Sequence, residues 1–160
     1  MIFVTVGYQM AFDRLVAAVD DWAGDHPEAR IFAQIGPSDL QPSNLEYTSF
    51  MEPAEFTRRV EACSVLVAHA GMGSILTALQ YGKPIVVMPR HADRNETRND
   101  HQIATARHLA DRTGIEVAID ETELPEKLER LAGLDAPPRI PSTASPELIE
   151  RISRFIATGQ

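Results

Sequence analysis

One stretch of the 160-residue chain, from Val65 to Met88, constrains the fold more than any other. It opens with four apolar residues that have the length and β-branched content of a buried strand, and it closes with a second such strand at Ile85–Met88. Between the two lie a loop with two glycines and a segment of helical periodicity, which Gly82 and Pro84 end. This order of strand, loop, helix and strand is the unit from which parallel sheets are built.

The rest of the chain also alternates between strand and helix patterns. Four further strands are predicted, at 2–6, 31–35, 45–50 and 115–119. Four further helices are predicted, at about 12–24, 53–62, 99–111 and 123–131. The fold class that this alternation predicts is an α/β sandwich with a mostly parallel sheet.

The proline-rich segment 136–144 divides the chain into two unequal parts. We predict a domain over residues 1–135, a linker over 136–144 and a C-terminal amphipathic helix over 145–160. The apolar stripe of that helix has to pack against something. Folding back on its own sheet is the favoured interpretation, and binding to a partner protein is the alternative.

Composition excludes several classes of function. The formal net charge of −8 argues against non-specific nucleic-acid binding, which depends on Lys and Arg side chains. No apolar segment approaches the roughly 20 residues of a spanning helix, and the chain enters a strand at Met1–Val6 without a signal-peptide pattern. Cys63 is the only cysteine, which excludes an internal disulfide, favours a reducing cytoplasm and predicts a small buried residue.

Two glycine turns, Thr5–Gly7 and His69–Ser74, are expected at the carboxyl edge of the sheet, where ligands bind in doubly wound folds. Backbone amides at the start of the following helix would suit a nucleotide diphosphate. Other nucleotide motifs fail on spacing. Leu76 stands where a dinucleotide fingerprint needs glycine, and no phosphate-binding lysine follows the loop as a P-loop requires, since Ser74 is followed by Ile75. Ser74 also lacks the flanking pattern of a hydrolase nucleophile.

The connection 89–101 carries an unusual density of charged and polar residues. Composition alone favours a solvated loop. A metal site is a second interpretation, although no known ligand spacing is matched by His91, Asp93, Asp100 and His101. The third is sugar recognition, in which carboxylate, amide and imidazole groups bind hydroxyls and an arginine binds an acidic sugar's carboxylate.

Four motifs in a fixed order carry a resemblance to a known family: Thr5-Val6-Gly7 with Phe12-Asp13-Arg14-Leu15, His69-Ala70-Gly71-Met72-Gly73-Ser74, Gly82-Lys83-Pro84, and Asn99-Asp100-His101-Gln102. Over about residues 1–131 the chain resembles glycosyltransferase family 28, C-terminal domain. The similarity extends to stand-alone subunits of split enzymes, both the PssE-type exopolysaccharide subunits and the catalytic subunit of the dolichol-linked N-acetylglucosaminyltransferase. The resemblance implies a Rossmann-like sandwich, the C-terminal half of a GT-B fold, that binds a UDP-sugar without a metal or other cofactor.

The resemblance also implies roles for individual residues. The residues implied to face the diphosphate are Gly7, His69, Gly71, Met72, Gly73 and Ser74. Phe50 and Met51 would border the uracil. The residues implied to contact the donor sugar are Asp100, His101 and Gln102.

One position departs from the family pattern. Family members commonly carry a glutamate that holds the ribose hydroxyls five residues before the glycine of the Gly-x-Pro turn, and here that residue is Thr77. This change favours the exopolysaccharide branch. The arginines Arg90, Arg94 and Arg98 favour an acidic donor such as UDP-glucuronate, with pairing to neighbouring carboxylates as the alternative.

The function implied is sugar transfer with inversion from a UDP-sugar to a polyprenyl-diphosphate-linked saccharide in exopolysaccharide synthesis. A membrane-anchored partner subunit would bind the acceptor, so the chain would be cytoplasmic and peripheral to the inner membrane, with a homodimer as an option when it is alone. No general base is assigned, and Asp100 and His101 are the weak candidates. The alternatives are a non-catalytic nucleotide-sugar-binding or regulatory scaffold and a flavodoxin-like module for another ligand.

Overall fold

The computed structural model of the protein describes residues 1–159, and within them six strands form one sheet. The strands are β1 (Ile2–Thr5), β2 (Ile31–Gln34), β3 (Glu46–Thr48), β4 (Val65–His69), β5 (Ile85–Met88) and β6 (Ile115–Val117). Their order across the sheet is β3-β2-β1-β4-β5-β6, and every neighbouring pair is parallel. The predicted fold class is therefore confirmed.

Helices connect the strands, and most lie where the apolar periodicity predicts them. The helices are α1 (Asp13–Asp25), α2 (Pro53–Ala62), α3 (Met72–Tyr81), α4 (His101–Leu109), α5 (Leu124–Glu129) and α6 (Pro146–Thr158), with a short 3₁₀ helix at Leu131–Gly133. Helix α3 begins at Met72, three residues before Ile75, and the predicted helix 99–111 is shorter at both ends. Gly82 ends α3 with a left-handed conformation of φ 62°, as the helix-stop pattern predicts.

The strand order reverses between β1 and β4. From β1 the chain proceeds to β2 and β3 on one side, and it then returns to place β4, β5 and β6 on the other side. The loops that follow β1 and β4 therefore diverge and leave a crevice between them at the carboxyl edge of the sheet. Both glycine turns of the sequence lie at this crevice.

The core has two layers because alternate residues of each buried strand face opposite sides of the sheet. Val4 and its neighbours pack with Leu15 of α1 and Leu124 of α5. Phe3 and Leu66 belong to the other layer, which α2, α3 and α4 cover. Burial on both sides explains why the central strands are continuous apolar runs rather than alternating ones.

Cys63 belongs to the second layer, and its sidechain is buried as predicted. The Sγ atom donates a hydrogen bond to the carbonyl of Val60 at 3.2 Å. Burial raises the pKa of the Cys63 thiol, which opposes formation of the reactive thiolate. Cys63 therefore has a packing role.

The proline-rich segment follows the surface of the domain rather than leaving it. Pro137 is buried, and a β-carbon added at Gly114 would lie 2.5 Å from its Cδ. The amide of Ile140 donates to the carbonyl of Leu79 at 3.2 Å. Residues 137–140 are thus attached to the ends of the second helical layer.

Helix α6 differs from the other helices because none of its residues is buried. Ser145 caps it through a hydrogen bond from the amide of Leu148. Its apolar stripe is about half exposed or more at Leu148, Ile149, Ile152, Phe155 and Ile156. The favoured expectation that this helix folds back on its own sheet is therefore wrong. Among the helices described, none is long and apolar enough to cross a membrane.

Candidate functional site

The crevice between β1 and β4 opens into a cleft of about 850 Å³. Its floor is formed by the carboxyl ends of β1 and β2, at Thr5 and Gln34, and Ser74 of α3 closes one side. The opposite side is largely apolar, with Phe50, Met51, Pro53 and Phe56 from the β3–α2 connection and α2. The cleft therefore combines an aromatic wall with polar groups at its base, as small-molecule sites commonly do.

A smaller cavity of about 340 Å³ lies on the other side of the β1–α1 loop. His69, His101 and Gln102 line it, together with Glu96 and Thr97 of the charged loop. Tyr8 contributes to both cavities and so marks the boundary between them. The structure thereby places part of the predicted set in two adjoining compartments, whereas Gly71, Met72, Gly73, Thr77 and Asp100 line neither of them.

His69 stands at the end of β4, between two glycines. A β-carbon at Gly7 would lie 2.8 Å from Cε1 of the imidazole, and one at Gly71 would overlap its Nε2. Gly7 also has φ of 82°, a conformation that other residues rarely adopt. Both glycine turns are thus required for this ring to occupy the crevice.

The His69 imidazole is uncharged at neutral pH. Burial, and then the positive charge of Arg90, lower the pKa of His69 from 6.5 to about 4. Its Nδ1 is buried and makes no hydrogen bond within the described residues. A neutral imidazole offers a ligand one N–H donor and one acceptor nitrogen rather than a positive charge.

The first turn of α3 faces the same crevice. The amides of residues 72–74 precede the first internal hydrogen bond of the helix, which Ile75 donates to the carbonyl of Gly71 at 3.2 Å. A β-carbon at Gly73 would meet nothing within 4 Å, and Met72 is 49% exposed. Free amides and the positive end of the helix dipole make this turn suitable for an anion.

Thr77 lies one turn further along α3 and lines neither compartment. Its Oγ1 donates a hydrogen bond to the carbonyl of Gly73 at 2.8 Å. The hydroxyl is therefore engaged within the helix, and the position offers a ligand no carboxylate.

Arg90 has a structural role. It is 4% exposed, and its guanidinium donates to the carbonyls of Val6, Met10, Ala11 and Glu96 at 2.5–3.0 Å. Four of its five N–H groups are occupied in this way. This bonding disagrees with the expectation that Arg90 holds a donor carboxylate, because the side chain instead fixes the β1–α1 loop.

Arg14 fixes the charged loop from the opposite side. It forms a bidentate pair with Glu96 at 2.8 Å and a second pair with Glu121 at 2.7 Å, while Arg94 pairs with Glu121 at 3.0 Å. The hydrogen bonds to Arg14 lower the pKa of Glu96 and lower that of Glu121 to about 2, against the opposing effect of burial. The loop 89–100 is therefore held by a network of ion pairs and is not simply solvated.

The three residues expected to contact a donor sugar have different positions. Gln102 is 5% exposed, and its Oε1 accepts from the amide of Arg90 at 3.2 Å. His101 is exposed, and its Nδ1 pairs with Oδ1 of Asn99. Asp100 accepts from the amide of Ala92 at 2.9 Å and lines neither cavity.

The metal interpretation of this loop finds no support. His91 and Asp93 approach each other only to 3.9 Å. In the described part of the chain, no three His, Cys, Asp or Glu side chains converge as a ligand set.

Tyr8 and Gln34 are among the lining residues of the large cleft that the sequence analysis missed. Tyr8 follows the glycine of the first turn, and Gln34 ends β2 as a buried polar residue. Gln34 could have been found from the sequence, because an amide side chain at the end of an otherwise apolar strand lies at the carboxyl edge of the sheet, where ligands bind. Tyr8 gave no comparable signal, because an aromatic residue in a loop has no periodicity.

The sheet order and the glycine turns at its point of reversal define a Rossmann-like α/β domain of the doubly wound type. The glycosyltransferase family 28 C-terminal domain matches residues 1–140, and the chain belongs to this family.

Comparison with individual proteins agrees with this assignment. The chain is 30% identical over 120 residues to the human UDP-N-acetylglucosamine transferase subunit ALG13, an alignment that covers 68% of this chain and 10% of the human protein. The chain thus spans a small part of that relative's length.

Solved structures show the same fold. The solution structure of ALG13 aligns with a TM-score of 0.62 at 18% identity, over 94% of this chain and 93% of that one. MurG of Acinetobacter baumannii aligns with a TM-score of 0.56 at 23% identity, over 82% of this chain and 40% of that one. The predicted GT-B half is confirmed at the level of the fold.

Proposed function

We propose that the protein is the donor-binding subunit of an inverting glycosyltransferase, which uses a UDP-sugar and acts together with a separate acceptor-binding subunit. Family membership supports the reaction class, and the name of the human relative supports both a UDP-linked donor and a subunit role. The observation that carries the proposal is the uncharged His69 ring, held between two glycines beside the free amides of α3.

This arrangement suits the diphosphate of a nucleotide sugar. The amides of residues 72–74 and the helix dipole stabilise negative charge, and the His69 N–H group adds a donor without the desolvation of a second cation beside Arg90. The same groups would stabilise the charge that develops on the departing UDP in the transition state. The aromatic cleft would then take the nucleoside, and the smaller cavity the donor sugar.

Sugar transfer with inversion breaks the bond between the anomeric carbon and the diphosphate while the acceptor hydroxyl attacks from the opposite face. That hydroxyl needs a general base. His101 lines the sugar cavity and is exposed, whereas Asp100 is directed to the amide of Ala92. We assign the base to the partner subunit, with His101 as the alternative within this chain.

The acceptor proposed is a polyprenyl-diphosphate-linked saccharide of exopolysaccharide synthesis, carried by a membrane-anchored partner. The exposed apolar stripe of α6 supports assembly with another protein, since nothing in the described part of the chain covers it. In such an assembly the chain would be peripheral to the inner membrane on the cytoplasmic side.

Calorimetric titration of the purified chain tests the donor assignment. UDP, UDP-glucose, UDP-glucuronate and UDP-N-acetylglucosamine are compared without added metal. We expect UDP and at least one UDP-sugar to bind. The bonding of Arg90, and the pairing of Arg94 with Glu121, remove two of the three arginines that favoured UDP-glucuronate. Absence of binding by all four ligands, in the presence of the partner as well, would overturn the proposal.

A matched pair of glycine variants locates the site. A β-carbon added at Gly73 or at Gly133 would meet nothing within 4 Å, so both positions are open at the point where a side chain would leave the backbone. We expect Gly73→Leu to weaken UDP binding at least about tenfold, because the side chain occupies the space in front of the α3 amides, a loss of about 1.4 kcal/mol. Gly133→Leu should leave the dissociation constant unchanged.

A non-catalytic scaffold remains the second candidate, and Thr77 is the observation that favours it. With its hydroxyl bonded inside α3, this position provides no carboxylate for the ribose. Transfer assays with a co-expressed partner separate the two functions. Turnover supports the transferase, and UDP binding without turnover supports the scaffold.

A further inference from the structure

The aromatic wall of the large cleft contains a residue that folding does not explain. Tyr8 is 77% exposed, the second most exposed large hydrophobic side chain of the described residues after Ile156 in α6. Its ring meets that of Phe50 edge to face, with 5.5 Å between the centroids. Phe50 is itself 45% exposed. Two exposed aromatic rings thus meet at the mouth of the cleft, from loops that are 42 positions apart in the sequence.

The floor of the cleft presents a hydrogen-bond donor. Gln34 is 6% exposed, and its Oε1 accepts from the hydroxyl of Thr5 at 3.4 Å. The Thr5 oxygen in turn accepts from the amide of Gly7 at 3.4 Å, so its own hydrogen is available for Gln34. The Oε1 of the amide thus lies against Thr5, and its Nε2 makes no hydrogen bond with the described residues.

A ligand that satisfies both features is planar and carries a carbonyl oxygen on its edge. Aromatic side chains bind nucleobases through their faces, and such stacking contributes about 1–3 kcal/mol per base. A buried amide donor selects ligands with an acceptor in the right place, because leaving it unpaired costs about 1–3 kcal/mol. Uracil and thymine have edge carbonyls, whereas adenine has none.

We infer that Tyr8 is the nucleobase-stacking residue of the donor site and that the Gln34 amide recognises a carbonyl of the pyrimidine. This inference rests on the proposed function, since it concerns the nucleoside of the same donor. Tyr8 and Phe50 already touch, so the base packs against the wall that they form and does not insert between them. The aromatic wall therefore provides affinity for a base, and the Gln34 amide provides the base selectivity that the α3 turn lacks.

Titration of single variants with UDP and ADP tests this assignment. Tyr8→Ala should raise the dissociation constant for UDP at least about tenfold, which corresponds to 1.4 kcal/mol. Tyr8→Phe retains the ring and should stay within about twofold of the unaltered protein. Tyr47→Ala is the matched control, since Tyr47 is also an exposed tyrosine at 41% and lines neither compartment.

Selectivity provides a second readout that does not depend on overall affinity. The unaltered protein should prefer UDP to ADP by about tenfold or more, and Gln34→Glu should reduce this ratio because a carboxylate repels a carbonyl oxygen. Thermal unfolding establishes that Gln34→Glu is folded. If this buried change unfolds the protein, Gln34→Met replaces it, because methionine keeps the length of the side chain and removes the amide donor.

The outcomes separate this inference from the proposed function. If UDP binds and Gly73→Leu weakens it while Tyr8→Ala does not, the nucleotide site stands and the role of Tyr8 is refuted. An unchanged UDP-to-ADP ratio in Gln34→Glu refutes the role of the amide. If the unaltered protein binds no UDP with or without its partner, the proposed function fails and this inference fails with it.

Discussion

At the scale of single residues, the conformation of the candidate site depends on the side chain of His69, which lies next to Gly7 and Gly71 and near Arg90. Its ring fills the space that β-carbons at Gly7 and Gly71 would need, and it lies near enough to Arg90 for that charge to depress its pKa. Arg90 is in turn bonded to the β1–α1 loop that contains Gly7. A substitution at any one of these positions therefore disturbs the others.

The pH dependence of stability follows from the His69 pKa of about 4, against 6.5 in the unfolded chain. The unfolded chain binds the proton more readily, so His69 lowers the free energy of unfolding as pH falls from about 6.5 towards 4. We expect a loss of about 2 kcal/mol from this group between pH 7 and pH 5. Urea unfolding at the two pH values measures it.

His69→Gln provides the comparison for this prediction. Glutamine does not titrate, so the variant should lose less stability than the unaltered protein over the same interval, whatever its stability at pH 7. Equal losses in both proteins would show that His69 is not the group responsible.

Sequence reasoning worked well for single residues wherever a chemical requirement was local. The glycine turns and the left-handed Gly82 express backbone needs that neighbouring residues reveal. It failed for Arg90, whose partners at Val6, Met10 and Ala11 are about 80 positions away. A buried arginine bound to carbonyls has the same local sequence as one that binds a ligand.

At the scale of elements, the loop between β5 and α4 depends on the pair that Arg14 forms with Glu96. Both side chains are largely buried, at 10% and 11% exposure, and the pair joins positions 82 residues apart. Glu96→Gln removes the charge and one acceptor from a guanidinium that cannot deprotonate. Glu121 and the carbonyl of Pro89 still bind Arg14, so the expected loss in free energy of unfolding is about 1–3 kcal/mol.

A surface pair provides the control for that measurement. Glu150 pairs with Arg154 within α6 at 2.8 Å, and both side chains are about 70% exposed. Glu150→Gln should change the free energy of unfolding by less than about 0.5 kcal/mol. If urea unfolding gives the two variants the same stability, the Arg14 network does not hold the loop.

The order and type of the elements were predictable because two-sided burial and amphipathic periodicity are properties of the sequence itself. Strand order was not, since periodicity contains no information on which strands pair. The packing of α6 was predicted wrongly for a related reason. An apolar stripe shows that a helix requires a contact surface, and it does not show which molecule provides that surface.

At the scale of the whole molecule, the chain divides into a domain with its own core and a helix that contributes nothing to it. Ending the chain at residue 143 removes α6 and its cap, none of which is buried. We expect the melting temperature to change by no more than about 2 °C and UDP binding to persist. Association with a partner, or self-association at high concentration, should be lost in light scattering, because the apolar stripe is gone.

Ending the chain at residue 135 is the control for the first truncation, because it shows how far the melting temperature falls when packed residues are removed. It also removes Pro137, which is buried against Gly114, and the hydrogen bond from Ile140 to Leu79. Loss of this packing should lower the melting temperature by at least about 4 °C, as expected for 1–2 kcal/mol in a domain of this size. A large drop already at residue 143 would mean that α6 stabilises the domain of residues 1–135, and its exposed stripe would then no longer support the proposed partner subunit.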